Sequence, residues 1–334
     1  MKNFNFIKAR KPALIIAGAI ILIGIVLNVI FGVTLDVEFK GGTIIQYSYT
    51  GELTAEKIEN VIEDTIGKKV NVQLTSDISG ETQLANVTLA DNTALSTDTI
   101  SKIDDAMVKA FPNNKVENAE TNSVNPTMGK GFFIKCIFAT LLGALLITVY
   151  IGFRFRKIGG VSASICALLC LFHDIIIAYF VYVIFGFTLD SNFIAVVLTL
   201  FGYSLNGTIV IYDRIRENRK IYGRDMDINE IVDMSVRQTF TRNLITSLAT
   251  FVSLVCVCVV AWVGGLTNLI SFVLPMAVGV VAGCYSSVFL SSPVWAWWRE
   301  KRGDPAEIKK AKKAKRLEKK AARARAKKLK ARKK

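Results

Sequence analysis

The 334-residue sequence holds one histidine, and it stands beside an aspartate: His173-Asp174, near the middle of a long apolar run. An ionised carboxylate at the centre of a bilayer costs roughly 2.5–3.5 kcal/mol on insertion scales, so such a group faces a partner or water. With an imidazole beside it, the pair has the chemistry to relay a proton or a cation, Asp174 exchanging the proton and His173 assisting. A neutral carboxyl that only ties helices together is the competing reading, and composition leaves both open. A second polar stretch, Gly202-Tyr203-Ser204-Leu205-Asn206-Gly207-Thr208, begins inside an apolar run that ends in Asp213, Arg214, Arg216 and Glu217. Thr199, Tyr203, Asn206, Val210 and Asp213 follow helical spacing and form one stripe. A stripe of this kind faces protein or a cavity rather than lipid. Arg242 precedes the next apolar run and reads either as a partner for that charged end or as a positive charge reaching the headgroups.

Other chemistries find little support. All six cysteines lie in apolar runs, where a thiol behaves as a small buried residue. With one histidine and no Cys/His cluster at ligand spacing, neither a metal nor a cofactor is expected. No phosphate-cradling glycine fingerprint occurs.

The elements that must position these residues are membrane helices. Hydrophobic residues make up 51% of the chain, and apolar runs of spanning length fall at 12–33, 131–153, 161–185, 192–211, 245–263 and 266–294. The first reads as a signal anchor, too long in its apolar part for a cleaved leader. Gly264-Gly265 marks a tight turn between the last two. Lys2, Lys8, Arg10 and Lys11 precede the first run. Further Lys and Arg fill the second connection (Arg154, Arg156, Lys157) and the fourth (Arg214 to Arg242), while the third and fifth carry none. This bias predicts cytoplasmic termini, and Trp295, Trp297 and Trp298 fit an interfacial belt.

The segment 34–130 differs in kind, with fifteen acidic and eight basic residues. Strand-like alternation at Ile45, Tyr47 and Tyr49, at Val70, Val72 and Leu74, and at Ala85, Val87 and Leu89 (after a Ser79-Gly80 turn) predicts three strands. A weaker fourth is expected at Val116 to Asn122. Helical spacing at Ile58, Val61, Ile62 and Ile66, with Thr54 as cap, and at Ile100, Ile103, Met107 and Phe111 adds two helices. The order strand, helix, strand, strand, helix, strand predicts a small ferredoxin-like α+β domain outside the membrane. The expected organisation is an N-terminus and first helix (1–33), this domain (34–130), five further helices (131–298) and a basic tail (299–334). Arg299 to Lys334 carries nineteen basic and four acidic residues, which equals the whole formal charge of +15. Such a tail suits anionic lipid or, through phosphate neutralisation, ribosomal RNA.

The block from Gly202 to Asn218 closely resembles the fourth transmembrane helix of the SecF family, in the resistance-nodulation-division superfamily. His173-Asp174 matches the place of a common pair in that family's third helix. Glu38-Phe39-Lys40-Gly41-Gly42-Thr43 resembles its signature before the first strand, with Glu38 for the usual aspartate, and reads as structural. The resemblance covers nearly the whole chain short of the tail. It implies a partnership with SecD, assistance to export driven by SecYEG and SecA across the bacterial cytoplasmic membrane, unfolded preprotein at the outer domain, and use of the proton motive force. No covalent chemistry is implied. It also casts Arg242 as the arginine that works with a fourth-helix aspartate. At that aspartate's position this chain has Gly207, which carries no proton and instead permits close helix approach. Two rivals come from other classes: a subunit of a proton-coupled small-molecule exporter of the same superfamily, and a ribosome-docking protein using its basic tail.

Overall fold

The computed structural model describes residues 4–76, 83–89, 95–124, 126–223, 225–264 and 266–302. Among them are six helices long and apolar enough to cross a membrane, as the hydropathy runs predict. These are α1 (Arg10–Phe31), α5 (Pro126–Arg154), α6 (Gly160–Phe185), α7 (Ser191–Tyr222), α8 (Ile228–Val263) and a last span that begins with α9 (Thr267–Tyr285). After α9 the last span continues through a π-helical segment, Ser286–Ser291, into α10 (Ser292–Arg302). Two helices outrun their apolar sequence. The apolar run of α7 ends at Ile211, yet the helix continues eleven residues to Tyr222, and α8 starts at Ile228 rather than near Ile245. Hydropathy marks where lipid ends, whereas helix ends are set by caps. Asp227 supplies one for α8, with a reciprocal capping box to Glu230.

Between α1 and α5 lies the sheet domain: α2 (Val37–Lys40), β1 (Gly42–Tyr49), α3 (Ala55–Ile66), β2 (Asn71–Ser76), β3 (Gln83–Leu89), α4 (Thr97–Ala110) and β4 (Glu117–Val124). The strands run antiparallel in the order β2-β3-β1-β4, the ferredoxin-like arrangement that the element order predicts. Ile45, Tyr47 and Tyr49 of β1 point into a core shared with Val87 and Leu89 of β3, Ile58 and Ile62 of α3, and Ile103 and Met107 of α4. Thr54 sits at the start of α3, but its side chain makes no capping bond. The Ser79-Gly80 turn, Arg224, Gly265 and the basic segment from 303 onward lie outside the described residues, and with them the expected lipid or RNA attachment of the tail.

The sheet domain is rooted on the membrane helices rather than hung from a linker. Leu189 N donates to Thr34 O (2.9 Å) and Asp36 N to Leu189 O (2.9 Å), joining the exit of α1 to the α6–α7 connection. At the opposite end the segment before α1 meets α8 and the last span: the Arg10 guanidinium lies 5.5 Å from the Trp297 ring centroid, and Phe6 packs on Phe240 and Phe289. The bundle is centred on α6, α7 and α9. By contrast α1, α5 and α8 present large apolar side chains outward, Ile15, Phe138 and Val252 among them.

Candidate functional site

The polar centre of the bundle is Asp174 on α6, which is wholly buried. Three side chains converge on its carboxylate. His173 Nδ1 lies 2.9 Å from Oδ1. Ser204 Oγ of α7 donates to Oδ2, and so does Ser286 Oγ of the π segment, at 2.9 Å. Each donor comes from a different stretch of chain, so the carboxylate joins three helical elements at one point. Two hydroxyl donors and an imidazole leave an ionised carboxylate well compensated. The same geometry suits a proton on Oδ1, which would then be donated to Nδ1. Either placement of that proton is compatible with the 2.9 Å separation. The other imidazole nitrogen, Nε2, is buried and has no hydrogen-bond partner among the described residues.

The π segment explains why two adjacent serines can both serve. An i→i+5 turn inserts an extra residue and rotates the following side chains. Ser286 and Ser287 then both face inward. Ser287 Oγ donates to Ser204 O (3.2 Å) and lies 3.0 Å from Thr208 Oγ1. One further π turn on, Ser291 Oγ lies 2.8 Å from Tyr212 OH. Residues 204, 208 and 212, spaced by four, thereby form a hydroxyl ladder along the buried face of α7. The sequence carries a signal for this beyond hydropathy: serines at 286, 287, 291 and 292 in an otherwise apolar run.

Gly207 belongs to the same crossing. A methyl group there would stand 3.1 Å from Ser287 Oγ and 3.3 Å from Ser287 Cβ, and Asn243 Nδ2 of α8 donates to Gly207 O at 3.3 Å. Across the interface, Gly279 and Gly283 of α9 meet Leu200 and Ser204, a pair spaced by four that lets backbones approach closely. Glycine at 207 therefore serves close packing.

Other sequence-predicted residues fall elsewhere. The polar stripe of α7 faces outward rather than into the bundle: Thr199 and Asn206 are exposed and Tyr203, Val210 and Asp213 half-buried, while the buried polar face is a different one, Ser204 and Thr208. Of the two readings of Arg242, the link to Asp213 does not form. Asp213 pairs instead with Arg154 (3.1 Å) and Arg216 (2.9 Å), and Arg242 only shares a cavity with it. Arg154 reaches Asp213 because α5 ends alongside α7, a contact between distant parts of the sequence.

The signature before β1 is structural. Gly41 and Gly42 adopt φ of 85° and 140°, where a side chain is strained. Phe39 packs between Phe132 and Phe133 of α5, and the buried Thr43 Oγ1 lies 3.1 Å from Ser123 Oγ. Glu38 does something that local sequence could not foretell: its Oε2 accepts from Ser191 N at 3.0 Å, at the first residue of α7. Asp190 caps the same helix through Phe193 N (3.2 Å). Burial, with Asp36 and Glu38 close by, pushes the Asp190 carboxyl up to about 6. Asp36, also raised by burial, completes this acidic group at the root of the sheet domain.

Comparison with known proteins gives this architecture a family. Residues 103–301 match the family model described as protein export membrane protein SecD/SecF, C-terminal. The protein translocase subunit SecF of Alicyclobacillus acidocaldarius is 30% identical over 312 residues, spanning 91% of this chain and 97% of its own length. The chain belongs to the SecD/SecF family. Its function accordingly lies in protein export, as the resemblance of the α7 block implies. The SecF subunit of Sebaldella termitidis is 31% identical over 321 residues, covering 95% of this chain and 99% of that protein. A crystal structure of SecDF from Thermus thermophilus, a translocon-associated membrane protein, superposes with a TM-score of 0.73 at 26% identity. The match spans 89% of this chain but 39% of that one, so this chain corresponds to part of that longer protein. With its six apolar helices, the chain is a multi-pass membrane protein.

Proposed function

We propose that this chain works beside a SecD-type subunit at the SecYEG–SecA translocon of the bacterial cytoplasmic membrane, with its termini in the cytoplasm and its sheet domain outside. The single observation that carries a proton-driven reading is the wholly buried Asp174, held by His173, Ser204 and Ser286 where three helical elements meet. Gaining or losing a proton there changes the balance between the carboxylate's three donors and so the relative set of α6, α7 and the π segment. The consequence reaches the sheet domain through Glu38, which is bonded to the first residue of α7. A preprotein held by that domain would then move with the cycle, without any covalent step in this chain. The outward-facing Asn206 supports a partner on that side of α7, because lipid tails offer its amide no hydrogen bonds.

Two measurements test this reading. Purified in mild detergent, the chain should retain a SecD-type subunit at equal stoichiometry. In inverted membrane vesicles, its stimulation of preprotein transport should fall when the proton gradient is collapsed at constant ATP. A lone monomer with full stimulating activity would refute the partnership, and stimulation indifferent to the gradient would refute the coupling. The relatives are translocase subunits, which favours protein over small-molecule export.

A further inference from the structure

The end of the bundle where Arg10 meets Trp297 contains a cavity of about 1150 Å³ between the last turns of α7, residues 238–242 of α8 and the 3-10 turn Arg156–Ile158. Six basic side chains line it, Lys157, Arg214, Arg216, Arg219, Lys220 and Arg242, against the two carboxylates of Asp213 and Glu217. Both carboxylates are already engaged. Asp213 is paired with Arg154 and Arg216, and Glu217 with Arg214 at 2.6 Å. Among the described residues no carboxylate pairs with Lys157, Lys220 or Arg242. A neutral donor adds to them. The Gln238 side-chain oxygen accepts from Arg214 Nε (2.6 Å) and Asn218 Nδ2 (2.8 Å), which leaves its NH2 as the open end of the amide.

Positive charge at helix ends is general in membrane proteins and needs only solvated side chains. Here the charges gather around an open concavity that Ile158 and Val210 help to line, and their summed field draws in anions. Guanidinium and ammonium groups around such a concavity match phosphate oxygens, and basic pockets between membrane helices take phospholipid headgroups. The volume is ample for a phosphodiester with its glycerol. We propose that this cavity binds phosphate groups, the nearest source being an anionic phospholipid headgroup, with a soluble phosphate compound as the other source of the same chemistry. The proposal is independent of proton coupling and of the tail.

The test uses the full chain in a zwitterionic detergent, titrated separately with short-chain phosphatidylglycerol, short-chain phosphatidylcholine and inorganic pyrophosphate, with the thermal midpoint as readout. A Lys157→Gln/Lys220→Gln/Arg242→Gln variant is compared with Lys327→Gln/Lys328→Gln/Lys330→Gln, which removes as much charge from the tail. Each basic residue at an anionic surface contributes about a fivefold factor, so the cavity variant should lose about a hundredfold in affinity for phosphatidylglycerol. The tail variant should lose far less. Lys220→Gln alone, at an exposed position, should cost about fivefold and serves if the triple variant fails to fold. Tighter binding of phosphatidylglycerol than of pyrophosphate identifies the source as lipid, and the reverse order identifies a soluble phosphate; both support the cavity. Equal losses in the two triple variants, or equal binding of phosphatidylcholine, would overturn it.

Discussion

Replacing Gly207 tests whether α7 is held by close approach to the π segment. Alanine at a helix interior normally gains about 1 kcal/mol over glycine, so at an open position Gly207→Ala would stabilise. Here the added methyl meets Ser287 Oγ at 3.1 Å and Cβ at 3.3 Å. Ser287 is fully enclosed and engaged with Ser204 and Thr208, so it has little room to yield. Overpacking costs about 1–3 kcal/mol, and the net expectation for Gly207→Ala is a loss of about 0–2 kcal/mol. Gly207→Asp meets the same contact and adds a buried carboxylate, a further ~2.5–3.5 kcal/mol when ionised. The nearest donors are Ser287 Oγ and, at 3.9 Å, Asn243 Nδ2, which recover part of that. Thermal midpoints in detergent at neutral pH should therefore fall in the order Gly, Ala, Asp. Combining Gly207→Ala with Ser287→Ala should be less harmful than the sum of the two, because the second change removes the nearer contact. A Gly207→Ala protein more stable than the parent would refute the close-approach reasoning.

Three further outcomes follow from the contacts above. Glu38→Ala should expose the first amide of α7 and cost about 1 kcal/mol as a lost cap, read as faster hydrogen exchange at Ser191 while the β1 amides stay protected. The raised Asp190 carboxyl favours the folded state most when protonated. That contribution should be present below about pH 4 and be lost as pH rises through about 6. Asp190→Asn should flatten the pH dependence of detergent stability over this window, and an unchanged slope would show that Asp190 is not its source. Ser286→Ala removes one donor from a buried carboxylate, at a cost of about 1–3 kcal/mol, and should lower the thermal midpoint without changing assembly with the partner subunit.

Much of the architecture was legible in the sequence because its causes are local. Spanning runs follow from the solvent they must match, and alternation at Ile45, Tyr47 and Tyr49 follows from the pleat of one half-buried strand. His173-Asp174 stood out because any carboxylate so deep in an apolar run needs partners. The partners themselves were harder to see. Ser204 and Ser286 lie 30 and 112 residues from Asp174, and the second reaches it through a π turn that helical spacing does not anticipate. Glu38 and Ser191 are 153 residues apart. The stripe on α7 was visible, but the direction of each residue was not. A turn of polar groups reads alike whether it faces a neighbouring helix, as Thr208 does, or the outside, as Asn206 does. Their common position at helix ends left open whether Asp213 meets Arg242, and Arg154 reaches it instead because α5 packs alongside α7.

Asp174→Asn bears most directly on whether this centre couples protons to export. The substitution keeps the shape of the site: the amide oxygen still accepts from Ser204 and Ser286, and the amide NH2 can donate to His173 Nδ1. Only the exchangeable proton is removed. In inverted vesicles containing the variant and its partner subunit, preprotein transport should proceed at the basal ATP-driven rate and lose its response to the proton gradient, with the complex recovered at parental yield. Transport by Asp174→Asn that responds to the gradient as fully as the parent would contradict the assignment.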